Sequence, residues 1–77
     1  MAIPQHVDMT PVISTNIDEI GHDPQKNHLY VVFKKGDIYR YENFDQQLFG
    51  ILVLQTSIGK WLRQNVFYKP KHPYKKL

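Results

Sequence analysis

The chain has 77 residues, no cysteine and a formal net charge of +3, which makes it one small domain. A disulfide scaffold and a thiolate metal site are excluded, and small size without disulfides predicts a reducing, cytoplasmic setting. No apolar run reaches the roughly 18 residues of a membrane span, and the N-terminus lacks the apolar segment of a signal peptide.

The first eleven residues are polar, hold two prolines and read as a flexible N-terminal arm. Residues 12–16 can be extended. Ile17-Asp-Glu-Ile-Gly-His-Asp23 reads as a first strand with Ile20 and His22 on one face. Ile17 is out of phase with Ile20, which predicts a bulge or a late strand start. Asp23-Pro-Gln-Lys-Asn27 has the chemistry of a turn.

The stretch His28–Glu42 reads as a hairpin. Leu29, Val31 and Phe33 alternate along one strand, and Tyr39 and Tyr41 along the next. A two-residue turn would set Val31 against Arg40. A three-residue loop, Lys34-Lys35-Gly36, sets Val31 against Tyr39 and Leu29 against Tyr41, and puts Gly36 where such loops need a left-handed residue. The second register is preferred because it joins apolar to aromatic side chains twice.

The period changes after Phe44. Asp45 can cap a helix whose apolar positions are Leu48, Phe49, Ile51, Leu52 and Leu54. Ser57 can cap a second, with Ile58, Trp61, Leu62 and Val66 on one face and Trp61 as its largest anchor. Pro70 and Pro73 forbid its continuation beyond Phe67-Tyr68. Residues 69–77 remain as a basic C-terminal tail. The expected fold is α+β: a three-stranded antiparallel β-meander followed by two helices packed on one face, over residues 12–68.

Four segments together resemble the KTSC domain. They are Ser14-Thr15, then Ile17-x-x-Ile20-Gly21-His22-Asp23, then Leu29-x-Val31-x-Phe33-x-x-Gly36-x-x-Tyr39-x-Tyr41, then Ser57-x-Gly59-x-Trp61-Leu62 with Val66. The resemblance covers about residues 12–68. His22 stands where that family usually has tyrosine, Trp61-Leu62 replaces an aromatic pair, and Thr15 replaces a second serine. The resemblance implies a non-catalytic module of the kind found at the C-terminus of some lysyl-tRNA synthetases and as small stand-alone bacterial and phage proteins. By association with synthetases it implies a nucleic-acid or RNA connection.

The residues themselves assemble no reaction. His6, His22, His28 and His72 lack metal-ligand spacing, and neither Ser14, Thr15 nor Ser57 has a local base. No enzyme activity, metal or cofactor is expected. Charge is polarised: residues 1–50 carry four Lys/Arg against seven Asp/Glu, whereas residues 51–77 carry six Lys/Arg and no acid, which fits either an anionic partner for the C-terminal third or simply a solvated surface. One reading is therefore nucleic-acid binding, RNA above DNA, through Lys60, Arg63, Lys69, Lys71, Lys75 and Lys76, with Tyr68 or Tyr74 stacking on bases. Ser57, Gly59 and Lys60 form a candidate anion site at a helix start, or simply a cap with a glycine that permits packing. The other reading is a protein-interaction module, such as a phage-type protein acting on a host partner. It would use Tyr30, Val32, Ile38 and Arg40 on the outer sheet face, which a homodimer would cover equally well.

Overall fold

The computed structural model describes residues 3–77. Five strands form one antiparallel sheet in sequence order: β1 (Met9–Pro11), β2 (Ile17–Asp23), β3 (His28–Phe33), β4 (Ile38–Tyr41) and β5 (Tyr74–Lys76). Between β4 and β5 lie two helices, α1 (Gln46–Val53) and α2 (Ile58–Asn65). The α+β class, the antiparallel sheet and the helix pair are those expected from periodicity. The sheet has five strands, however, where three were expected. The segment read as an arm supplies β1 and buries Val7, and the segment read as a tail supplies β5. Each added strand is three residues long and carries no alternating apolar pattern. Each is ordered by backbone pairing to a strand already in place: Met9 lies opposite Gly21, and Tyr74 opposite Tyr41. The arm's first two residues lie outside the described ones.

The hairpin takes the three-residue loop. Val31 pairs with Tyr39 and Leu29 with Tyr41. The Phe33 N–H donates to the Asp37 carbonyl at 2.8 Å, the Gly36 N–H donates to the Phe33 carbonyl at 2.8 Å, and Gly36 has a φ of 104°. In β2 the register shifts between Ile17 and Glu19, which brings Ile17 and Ile20 onto the same face opposite Phe33 and Val31. Both helix caps form: Asp45 accepts the Leu48 N–H at 2.8 Å, and Ser57 accepts the Lys60 N–H at 3.3 Å.

The core lies between the helices and the inner sheet face. Ile17, Ile20, Leu29 and Val31 from the sheet meet Leu52 of α1, Leu62 of α2 and Val66 just beyond it. Phe44 is fully buried in the same cluster. It is placed by Asn43, whose φ of 57° turns the chain out of β4, and by a 2.8 Å bond from its N–H to the Asn27 carbonyl. Trp61 is not the central anchor. It is half-buried and meets Phe44 edge-on at 6.3 Å. At about 100° per residue, Trp61 falls about 60° from Ile58 on the side away from Leu62 and Val66, so it flanks the buried stripe. Ile51 and Leu54, expected on the apolar face of α1, are exposed, because this short helix packs through Leu48, Phe49 and Leu52.

The outer sheet face is partly roofed by the N-terminal segment. A Cβ placed on Gly21 would stand 2.9 Å from the Asp8 carbonyl oxygen and 3.1 Å from Val7 Cγ1, so only glycine lets that segment cross here. His6 Nε2 lies 3.1 Å from the buried carboxylate of Asp23. That carboxylate also accepts the Gln25 N–H at 3.0 Å, closing the turn before β3. No helix among the described residues is long and apolar enough to cross a membrane.

Candidate functional site

Helix α2 ends at Asn65, and the chain then turns back toward β5. The alternation that faces Leu29 and Val31 into the core faces Phe33, Tyr39 and Tyr41 the same way, and β5 adds Tyr74 opposite Tyr41. The result is a cleft of about 560 Å³ between the β4–β5 edge and the end of α2. Six aromatic rings line it: Phe33, Tyr39, Tyr41, Phe67, Tyr68 and Tyr74.

Most of these rings hold one another. Tyr39 stacks with Tyr74 at 5.5 Å, Tyr41 with Phe67 at 5.3 Å, and Phe33 meets Tyr39 edge-on at 5.5 Å. Tyr41 is buried, and that burial, with the neighbouring tyrosines, pushes its hydroxyl well above the usual phenol range, so it is neutral at any physiological pH. Tyr68 is 88% exposed and Tyr74 54%.

The cleft carries charge of one predominant sign. Lys34 and Lys35 of the hairpin loop and Arg63 of α2 line it. Its one acid, Asp37, is engaged by Lys76 at 3.5 Å and by Lys35 at 3.9 Å. The arrangement suits a flat, π-bearing anion: rings for the face, cations for the charge.

The structure divides the basic set that the sequence suggested. Arg63, Tyr68 and Tyr74 meet in the cleft, and Lys76 reaches its rim through Asp37. Lys60 borders a neighbouring groove with Ser14, Asn16 and Ser57. Lys75 lies opposite Arg40 on the outer face, and Lys69 and Lys71 lie in the connection from α2 to β5. The six cations therefore do not form one strip, because strand alternation sends Lys75 and Lys76 to opposite faces. Lys34, Lys35, Phe33 and Tyr39 were missed as site residues. A lysine pair abutting an alternating aromatic strand was the available signal, but only β5 and α2 turn it into a cleft.

A Cβ on Gly59 would stand 3.2 Å from Ser14 Oγ and 3.9 Å from Ile17 Cδ1, so the glycine lets the loop before β2 approach α2 closely. Ser57 caps α2, and Ser57, Gly59 and Lys60 line the neighbouring groove together. On the outer face Tyr30 is only 3% exposed, beside Gly21 where the N-terminal segment crosses. Val32, Ile38 and Arg40 are half-buried, so the exposed surface expected there is much reduced. Burial, and then the charge of Arg40, hold the His28 imidazole below its ordinary pKa.

The other histidines are engaged structurally. His22 donates from Nε2 to the Phe44 carbonyl at 2.6 Å and stacks on Phe49 at 5.1 Å. His72 is buried and donates from Nδ1 to the Glu42 carbonyl at 3.0 Å, which ties the approach of β5 to β4.

The chain matches the KTSC domain over residues 13–69. It is 32% identical over 59 residues to an uncharacterized protein of Stutzerimonas stutzeri (strain A1501), a match covering 77% of this chain and 80% of that protein. It is also similar to the crystal structure of a KTSC domain protein from Yersinia pestis, with a TM-score of 0.78 and 25% identity, covering 92% of this chain and 97% of that one.

Proposed function

The chain belongs to the KTSC domain family, and from that premise we propose that it is a non-catalytic cytoplasmic module that binds single-stranded nucleic acid, RNA before DNA, in the aromatic cleft. The observation that carries this reading is the lining itself: six rings beside Lys34, Lys35 and Arg63, with the single carboxylate already engaged by lysines. Unpaired bases offer π-faces to such rings, and their phosphates meet the cations. A duplex would not fit, because its bases are already stacked on each other. The preference for RNA draws on the synthetase association that the resemblance implies.

The test is anisotropy titration of a labelled single-stranded RNA at two salt concentrations. The substitutions Lys34→Gln, Lys35→Gln and Arg63→Gln together should weaken binding and reduce the slope of log affinity against log salt by up to about 0.7 for each phosphate that is no longer neutralised. The control set Lys69→Gln, Lys71→Gln and Lys75→Gln removes the same formal charge away from the cleft and should have the smaller effect. Equal effects from the two sets would mean that charge acts diffusely. Absence of binding at low salt would end the nucleic-acid reading.

A further inference from the structure

One ring of the cleft differs from the others. Phe33, Tyr39, Tyr41, Phe67 and Tyr74 each lie within 6.3 Å of another aromatic ring, whereas Tyr68 has no such neighbour among the described residues. It is also 88% exposed. Its backbone is unusual as well. The Lys69 N–H donates to the Val66 carbonyl at 3.2 Å, which closes a four-residue turn with Tyr68 third, at a φ of 63°. That position ordinarily selects Gly or Asn, and a bulky aromatic there is a genuine outlier. The two other non-glycine residues with positive φ, Asn27 and Asn43, are both the expected type. Tyr68 thus holds an unpaired ring at the cleft on backbone that its own side chain disfavours, and no burial of that ring explains it. Strained backbone of this kind clusters at functional sites.

The extent of the cleft limits what that ring can meet. About 560 Å³ lies within the roughly 300–1,000 Å³ of sites that hold one small ligand. The cations that would extend a track are elsewhere: Lys75 is on the opposite sheet face, and Lys69 and Lys71 do not line the cleft. Resting on the reading of the cleft as a nucleic-acid site, we infer that it takes one unpaired nucleotide, free or within a strand. Tyr68 stacks on its base, and Arg63 with Lys34 or Lys35 meets its phosphate.

Calorimetric titration with nucleoside monophosphates and with oligoribonucleotides of two, four and eight units tests this. A one-nucleotide site gives an affinity that, corrected for the number of equivalent positions, is the same across the oligonucleotides. A free monophosphate that binds equally well identifies the mononucleotide as sufficient; a monophosphate that binds less well than the dinucleotide places the nucleotide within a strand. Tyr68→Gly relieves the left-handed strain, so its denaturation midpoint should be equal to or above that of the parent while affinity falls roughly 5- to 150-fold, the loss of one stacking ring. Tyr68→Phe should keep the parent affinity, since stacking needs the ring and not the hydroxyl. Corrected affinity that climbs with every added nucleotide to eight, or a Tyr68→Gly protein that binds as well as the parent, overturns the one-nucleotide site and leaves the broader reading standing. Failure of every oligonucleotide and monophosphate to bind at low salt overturns both.

Discussion

Gly36 and Gly50 differ in what their positions require of the residue there. Gly36 stands at a φ of +104° with open space around it, so backbone conformation alone requires it there. Gly50 lies in α1, where a Cβ would meet nothing within 4 Å. Among the described residues nothing packs closely enough to require glycine there. Gly36→Val should therefore lower the chemical-denaturation midpoint by the equivalent of more than about 1 kcal/mol, since a β-branched residue fits that region poorly. Gly50→Ala should raise stability by up to about 1 kcal/mol, the helix propensity difference. A midpoint unmoved by Gly36→Val would contradict the three-residue loop, and a loss of stability in Gly50→Ala would show a close approach to α1 at that position. Tyr68 poses the opposite case, a bulky side chain on backbone that favours glycine.

Among the elements, α2 and the segment leading into α1 divide the anchoring of the core. Phe44 is fully buried in the core cluster, and its backbone carbonyl holds His22. Trp61 flanks the same cluster half-exposed. Phe44→Ala should cost about 3–5 kcal/mol, enough to unfold a domain of this size. Trp61→Ala should cost clearly less, because part of its surface is already in water. Thermal unfolding followed by circular dichroism separates the two, and an equal loss from both would restore Trp61 to the centre. The added strands follow a different logic. β5 is held by its ladder to β4, by the Glu42 N–H donating to the Pro73 carbonyl at 2.9 Å, and by the Leu77 N–H donating to the Ile38 carbonyl at 2.8 Å. Backbone groups carry these bonds, so no side-chain pattern announces them.

For the whole molecule, the roofed outer face gives stability a pH dependence. His28 is held below its ordinary pKa of 6.5 by burial and then by Arg40. In the unfolded chain the imidazole takes up a proton near that value, while in the folded protein it does so only at lower pH. The unfolded state thus binds more protons in that window, and stability falls as pH drops below about 6.5. Asp23 adds a second decline. Burial opposes its charge, but hydrogen bonds from His6 and from the Gln25 and Lys26 N–H groups outweigh it, and its pKa lies below 3.8. Its contribution is present above that value and is lost as pH falls through the lower, folded one. His28→Gln should therefore flatten the fall in denaturation midpoint between pH 7.5 and about pH 5.5, and leave the decline in strong acid. A variant whose midpoint falls as steeply as the parent's across the upper window would remove His28 as the cause.

Local rules determined much of this protein. Alternation at Leu29, Val31, Phe33, Tyr39 and Tyr41 set the hairpin faces, and matching those faces selected the loop that Gly36 completes. Helical spacing and the two caps at Asp45 and Ser57 placed α1 and α2. These features are legible because each depends on neighbours within a few residues. Tertiary structure alone decided the rest. β1 and β5 exist through ladder bonds to β2 and β4, the need for glycine at 21 comes from a segment more than ten residues earlier, and the basic residues part company according to sheet face. The cleft is the clearest case. Its rings and cations come from the hairpin, the end of α2 and β5, and only the pairing of β5 with β4 brings Tyr74 beside Tyr39. Sequence spacing records which face a residue takes within its own element, but which elements become neighbours is set by burial and backbone pairing across the whole chain.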